Sequence, residues 1–475
     1  MDHARTRRRR AFIAALSSLA AACAMPPRPA GSAGRVLVIG AGFAGLSAAR
    51  ALRQSGWDVT VLEARNRAGG RVLTDRSTGL PADLGPSWLH AGPKNPLKTL
   101  AAGSGIATRV TDYSNVRHTN VVAGVRQPVT RNEVLRHAQL FSDSIESTSL
   151  WRDLDAIAAR ARKSGAQNLS VADVFDEAVR RIEGNAGPLD PALITLERWM
   201  LESNLAAPLE EVGIAALLEE SDTEPGNPLL PDDDHYVVGG MDQLIRLLAT
   251  DLDIHLNDPV KRIEWRNGAV RVSTAARTLL ADAAVVTIPV SLINSGAIEF
   301  APALPAAKLA SAGRLRMGLL NKAYVLFPQP FWDTSADFLT FHRDPPPLFY
   351  AWLNLYRYTG QPALMGFTSG NTARQVERMS DAEITAGLMA RTRRAGTTPE
   401  PVVVRASHWG ADPFAGGSYS YLGVGATGDD RVLLAAPVER TLFFAGEATH
   451  RNDPASVHGA WWSGLRAARE LIGDA

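Results

Sequence analysis

Residues Arg35 to Glu63 constrain this chain more than any other stretch. Arg35-Val-Leu-Val-Ile39 is an apolar run of strand character that leads straight into Gly40-Ala-Gly42-Phe-Ala-Gly45. A small-residue helical stretch, Leu46 to Leu52, follows, and a second strand, Asp58-Val-Thr-Val-Leu62, ends on Glu63. Strand, Gly-rich turn, helix, strand and acid in this order make a dinucleotide-binding unit. Gly40 permits the tight turn, Gly42 lets the backbone approach a pyrophosphate, and Gly45 lets helix and strand pack closely. The helix start at Phe43 and Ala44 turns free N–H groups and a positive dipole end toward phosphate. Glu63 is spaced to accept hydrogen bonds from a ribose hydroxyl.

The residues after Glu63 distinguish between dinucleotides. They read Ala64-Arg65-Asn-Arg-Ala-Gly69-Gly70-Arg71. This E-A-R-x-R-x-G-G-R run resembles the large class of flavoproteins that bind FAD in this mode. The Gly-Gly pair before Arg71 argues for close backbone approach to a ligand. FAD rather than NAD is therefore expected, with Ala64, Arg65, Gly70 and Arg71 beside it.

A chain of 475 residues is too long for one ordinary domain, and two are expected. With 45% hydrophobic and 21% charged residues it can bury a large core. The net charge is +1, and without the first 24 residues 45 basic side chains face 48 acidic ones. Nothing in that balance points to nucleic acid as a partner. The basic run Thr6 to Arg10 precedes Ala11-Phe12 and an apolar stretch ending at Ala24, too short for a membrane span. It resembles a bacterial twin-arginine export signal, with an ordinary Sec signal as the alternative. Periplasmic localisation is expected. Cys23, the single cysteine, lies where a lipoprotein is processed and lipid-anchored, although an A-x-A cleavage site reads equally well. Either way no disulfide or cysteine nucleophile is expected in the mature fold, and no metal.

Along the chain, residues 97 to 220 are mostly helical in pattern. Leu229 to Asp234 reads as a loop and Gln243 to Ala249 as a helix. Strands are expected at 254–256, 260–265, 270–274 and 284–288. A mixed region runs from Asn321 to His408, then a strand at 441–445 and a helix over 461–472. Strands near both ends suit one parallel sheet. The expected class is α/β: a discontinuous Rossmann-like FAD domain (35–97, 235–300, 435–475) with an inserted substrate domain of mixed sheet and helices (98–234, mainly helical, and 301–434). Residues 1–34 form the signal and tether.

Four further segments carry a specific resemblance. They are Asp83-Leu-Gly85-Pro-Ser-Trp88-Leu-His90 through Leu97; Ile298 to Asp333 with Gly318-Leu-Leu-Asn321-Lys322; Trp409 to Tyr421; and Phe444-Ala-Gly446-Glu447 through Arg466. Together they resemble the flavin-containing amine oxidases, the family of monoamine oxidases, polyamine and spermine oxidases and the lysine-specific histone demethylase. The first segment looks most like the polyamine and spermine oxidase branch. The resemblance implies that Lys322 holds a water against flavin N5 and that His90 contacts the substrate amine. It also implies that Gly85, Pro86, Ser87, Trp88, Trp409, Gly446, Ser456 and Val457 lie by the cofactor. Glu447 would accept a ribitol hydroxyl, and the Val260 backbone would meet the adenine. Tyr419, Trp88 and Glu202 would face the substrate, Glu202 offering a carboxylate to a distal ammonium.

Departures from the family matter too. Ser418 stands where monoamine oxidases attach FAD through cysteine, so non-covalent FAD is expected. Ser456 replaces the second tyrosine of their amine cage, and no demethylase tower is present. The expected reaction is hydride transfer from a neutral amine to flavin N5, giving an imine and then an aldehyde. Oxygen would reoxidise the flavin to give hydrogen peroxide. A polyamine or another primary or secondary amine is the expected substrate. The alternatives are a monoamine oxidase, a flavin amine dehydrogenase with another acceptor, and a non-catalytic flavin- or amine-binding protein.

Overall fold

The computed structural model describes residues 33–90, 95–122, 125–128, 149–165, 168–189, 191–218, 234–342, 348–349, 351–392 and 399–473. The expected export signal with Arg9, Arg10 and Cys23, and most of the 229–234 loop, lie outside these residues.

The first strand, Arg35–Ile39, is apolar throughout because both of its faces are covered, the usual condition of a parallel strand. It sits at the centre of a five-stranded parallel sheet in the order 253–255, 58–62, 35–39, 283–286, 442–444. Its alternate side chains part to the two faces. Val36 and Val38 pack on the helices Phe43–Gln54 and Val457–Ile472. Leu37 and Ile39 pack on Val260, Ile263 and Val272 of a four-stranded sheet ordered 278–281, 269–274, 260–266, 299–301. The result is three layers: helices, parallel sheet and a mixed sheet whose edge strand 299–301 runs parallel to 260–266. The two helices cross very closely, and a Cβ on Gly464 would lie 2.1 Å from the Ala44 carbonyl oxygen.

A second body is built on a seven-stranded sheet in the order 403–406, 320–326, 363–369, 351–354, 338–342, 116–122, 125–128. The helices Ser149–Lys163, Val171–Ala186 and Pro191–Leu205 belong to the stretch expected to be helical. That stretch also contains strands Thr108–Val110 and Val116–Val122. The difference has a long-range cause: Val116–Val122 is the parallel partner of Phe338–His342, and pairing across more than two hundred residues overrides local pattern. Likewise His235–Val237 is a strand, held between Trp88–Leu89 and Thr108–Val110. It joins the Asp83–His90 segment to the rest of the site.

Candidate active site

A cavity of about 1510 Å3 runs between the dinucleotide unit and the seven-stranded sheet. It exceeds the roughly 300–1,000 Å3 of a single-ligand pocket, so two ligands fit side by side. Gly40, Gly42, Phe43, Ala44, Glu63, Ala64, Arg65, Gly70, Arg71 and Val260 contribute to its wall. So do Gly85, Pro86, Ser87, Trp88, His90, Lys322, Trp409, Tyr419, Gly446, Glu447, Ser456 and Val457. Two sequence candidates, Gly45 and Glu202, do not.

The Gly-rich turn explains its own glycines. Gly40 has φ +106°, a backbone region that favours glycine. A Cβ on Gly45 would lie 1.9 Å from the Gly40 carbonyl oxygen, so Gly45 serves close packing and not ligand contact. A Cβ on Gly42 would meet nothing nearer than the Gly69 carbonyl oxygen at 4.0 Å. What Gly42 keeps open is cavity space, the requirement of a pyrophosphate lying on the backbone.

Buried Glu63 accepts from the Ala41 N–H and the Arg65 N–H, each at 2.8 Å. Its carboxylate is thereby fixed, with lone pairs left for a ribose hydroxyl. The Arg65 guanidinium is turned to Asp412, donating at 2.6 and 2.7 Å. Arg67, not singled out in the sequence, donates to the Val72 and Gly70 carbonyls at 2.7 and 2.9 Å and locks the Gly-Gly turn. Burial lowers its pKa. Arg71 donates to Glu447 Oε1 at 2.8 Å and to the Ser418 carbonyl at 3.1 Å. Glu447 Oε2 accepts from Ser420 Oγ at 2.7 Å and the Ala455 N–H at 3.0 Å. Burial works against the Glu447 charge, but Arg71 and Arg431 prevail and hold its carboxyl below the ordinary value. A ribitol hydroxyl at Glu447 would join a network that already binds both oxygens.

Lys322 belongs to strand Leu320–Leu326 and is 4% exposed. Its ammonium donates to the Gly85 carbonyl, to Ser87 Oγ at 2.7 Å and to the Asp83 carbonyl at 3.4 Å. The Trp88 and Phe367 rings lie 5.4 and 5.6 Å from it. Burial lowers its pKa, and the nearby Asp83 opposes that shift. Asp83 is itself pushed up by burial, while Thr74 and the Met241 N–H hold its carboxylate. Trp409 fixes the same turn from the other side, its indole donating to the Leu84 carbonyl at 3.1 Å.

His90 ends strand Trp88–Leu89. Its Nδ1 lies 2.8 Å from Asp234 Oδ2, which also accepts from the Tyr113 hydroxyl at 2.7 Å. The Tyr419 hydroxyl donates to the Ser203 and Asn204 carbonyls at 3.0 and 3.2 Å, tying the end of helix Pro191–Leu205 to the site. Ser456 caps the last helix, accepting from the Gly459 N–H at 2.9 Å. Ser418 Oγ donates to the Gly318 carbonyl at 3.0 Å and accepts from the Leu320 N–H at 2.8 Å.

Glu202 lies outside the cavity wall. It faces Arg198, one helical turn back, at 3.5 Å, and burial raises its pKa. Arg198 is also paired with Glu210. The residues missed are mainly apolar: Phe338, Ala351 and Phe367 from the sheet, and Trp199 and Met200 from the helix, all in the cavity wall. Their alternation along the strands was the one available signal, and it does not separate a cavity wall from a core. Asp234 was read only as a loop residue.

Comparison with known proteins agrees with this geometry. The sequence model of the family described as flavin containing amine oxidoreductase matches residues 43–472. Polyamine oxidase 2 of Arabidopsis thaliana is 35% identical over 447 residues, covering 92% of this chain and 87% of its own length. Lysine-specific histone demethylase 1 homolog 3 of the same plant is 32% identical, over 92% of this chain. This chain spans only 30% of that demethylase, and 53% of the homolog 1 protein of Oryza sativa subsp. japonica. The structure of wild-type putrescine oxidase bound to putrescine superposes with a TM-score of 0.74 at 22% identity, over 93% of this chain and 99% of the other, which shows the shared fold. The match over nearly the whole chain, on a dinucleotide cavity that continues past a buried lysine, makes this chain a member of the flavin-containing amine oxidoreductase family.

Proposed function

We propose that this chain oxidises a polyamine or another primary or secondary amine, using non-covalently bound FAD and passing the electrons to oxygen. The observation that carries the reading is Lys322, a buried ammonium in the wall of the chamber that also holds the dinucleotide fingerprint. A pure binding module has no need of a cation there. The residues present fit FAD: Gly42 leaves room for the pyrophosphate, Glu63 is fixed for a ribose, and Arg71 with Glu447 is anchored beside the cavity. When bound, the flavin accepts a hydride from the carbon next to the amine nitrogen and delivers two electrons to oxygen, giving peroxide.

The protein's own groups then have distinct tasks. Trp88, Phe367 and Tyr419 bound the substrate space with apolar surface and exclude water. Lys322 holds positive charge at the 83–87 turn. His90 receives hydrogen bonds or a proton from the amine. Hydride can leave only from the neutral amine, whose free pKa lies near 10 like that of lysine, so a proton acceptor at the site is required. Water then hydrolyses the imine to an aldehyde and a shorter amine.

One observation favours the second reading, a monoamine substrate. Glu202 is turned to Arg198, and the wall around Trp88 is aromatic. A substrate with one charge and an apolar body suits such a wall. A peroxide-coupled screen of putrescine, spermidine, spermine, acetylated polyamines, tyramine and amino acids separates the two. Bleaching of the visible spectrum by amine under nitrogen separates an enzyme from a binder. Among the described residues no helix is long and apolar enough to cross a membrane. Export by the twin-arginine route, with a lipid anchor at Cys23 as one outcome, completes the proposal. Folded export suits a cofactor loaded in the cytoplasm.

A further inference from the structure

A histidine that takes a proton from an amine needs one ring nitrogen held as donor and the other left as acceptor. The structure supplies such a hold on His90 from a distant part of the chain. Asp234 lies 144 residues away in sequence, is 0% exposed, and brings Oδ2 to 2.8 Å from His90 Nδ1. The same oxygen accepts from the Tyr113 hydroxyl at 2.7 Å. His90 is held from behind as well: the Asn95 side-chain amide donates to its carbonyl at 2.7 Å, and the Asn95 carboxamide oxygen caps helix Pro96–Gly103. Asp234 is outside the cavity wall, whereas His90 is in it, with a side chain 40% exposed.

We infer that Asp234 is the positioning residue of the amine-binding histidine, fixing His90 with the proton on Nδ1 and the Nε2 lone pair toward the substrate, and that Tyr113 fixes Asp234. The inference rests on the reading of His90 as the amine contact. A carboxylate oxygen that already accepts from a tyrosine can only accept again, so the shared hydrogen lies on Nδ1. The remaining lone pair then sits on Nε2, across the ring from Asp234. An ammonium substrate gives its proton to Nε2: the N–H bond breaks, its electron pair stays on the amine nitrogen, and the imidazolium formed is stabilised by the buried carboxylate. The neutral amine can then lose hydride, and the proton passes from His90 to water.

Among the described residues, titratable side chains on the surrounding elements make contacts of their own. His235 pairs with Thr108 at 2.9 Å, and Tyr236 packs on Tyr358 with ring centroids 4.7 Å apart. Arg109 reaches the Arg357 carbonyl, and Lys98 lies on the following helix. Among the described residues, Asp234 is a carboxylate in hydrogen-bond contact with the ring.

The test uses the FAD-loaded enzyme and the best amine from the screen. Asp234→Asn is expected to keep its flavin but lose about 10²-fold in kcat/KM near neutral pH. The acid limb of kcat/KM should move to lower pH, because an imidazolium at residue 90 would lose the negative charge beside it. A purely structural role would not move that limb. Introduced into His90→Gln, the same change should cost nothing more. If His90→Gln lowers activity while Asp234→Asn leaves both rate and limb unchanged, the inference fails and the histidine reading stands. If His90→Gln itself changes nothing, the histidine reading fails and takes the inference with it. Should Asp234→Asn not fold, 15N NMR of the wild type, assigned with His90→Gln, reads the tautomer directly. Protonated Nδ1 supports the inference and protonated Nε2 overturns it.

Discussion

Replacing Lys322 with methionine removes one charge and little volume. The unbranched thioether follows the path of the lysine stem between Trp88 and Phe367. The side chain gives up hydrogen bonds to the Gly85 carbonyl, Ser87 Oγ and the Asp83 carbonyl. Bonds from a charged donor are worth about 1.5–3 kcal/mol each, but the buried ammonium's desolvation cost also vanishes. The two effects oppose, and the net change in stability should stay within about 2 kcal/mol. Turnover should suffer far more: a positioned electrostatic or proton-transfer group is worth about 10²-fold or more. That factor is about 2.7 kcal/mol in the barrier. Anaerobic stopped-flow with amine measures flavin reduction, and mixing the reduced enzyme with oxygen measures reoxidation. The wild type should show a titration below the usual lysine value, because burial lowers the Lys322 pKa, and the variant should lack it. The linkage has a definite sign. Between the lowered folded value and the ordinary unfolded one, the unfolded chain binds more protons, so wild-type stability rises with pH across that window. The variant loses this slope. A variant that binds FAD normally and keeps both half-reactions near wild-type rates would remove Lys322 from the mechanism.

Acid precipitation should release all yellow colour to the supernatant, since Ser418 Oγ is committed to Gly318 and Leu320 and no cysteine stands there; colour kept in the washed pellet refutes this. Gly45→Ala should fail to fold or melt far lower, because its Cβ meets the Gly40 carbonyl at 1.9 Å, whereas Gly42→Ala should fold but hold FAD weakly, as equilibrium dialysis will show. Glu202→Gln should change KM for any polyamine by less than about twofold, since the carboxylate faces Arg198; a large rise in KM would return it to the substrate site. Replacing Arg9 and Arg10 by lysine should leave the protein in the cytoplasm, read by cell fractionation, and unchanged export would point to the Sec route.

What the sequence disclosed follows the range of the physics behind it. The strand, turn and acid over 35–63 are legible because a dinucleotide turn is a local object: its glycines and its acid lie within thirty residues and act on one another. Lys322 was legible as a lysine among apolar strand residues, an arrangement a solvent-facing strand does not favour. Its partners were not, since Gly85 and Ser87 meet it through a contact spanning more than two hundred residues. Glu202 shows a different case. Arg198, four residues earlier, lies 3.5 Å from its carboxylate and also pairs with Glu210. The i,i+4 spacing to Arg198 is legible in the sequence, whereas reach to a substrate is a long-range property.

Asp234 shows why the rest of the site stayed hidden. In sequence it is the last of three consecutive aspartates before His235, and such a run reads as a solvated loop. The backbone sorts it from its neighbours. From His235 onward the chain enters the strand paired with Trp88–Leu89, which brings residue 234 alongside His90. The Thr111 N–H, donating to the Asp234 carbonyl at 2.9 Å, continues that pairing on the other side. Register alone therefore buries this carboxylate beside Tyr113 and His90. A shift of one residue would put His235 in its place and turn the acid to the opposite face. The histidine's electrostatics are thus set by strand register, a property that no single segment of the sequence displays.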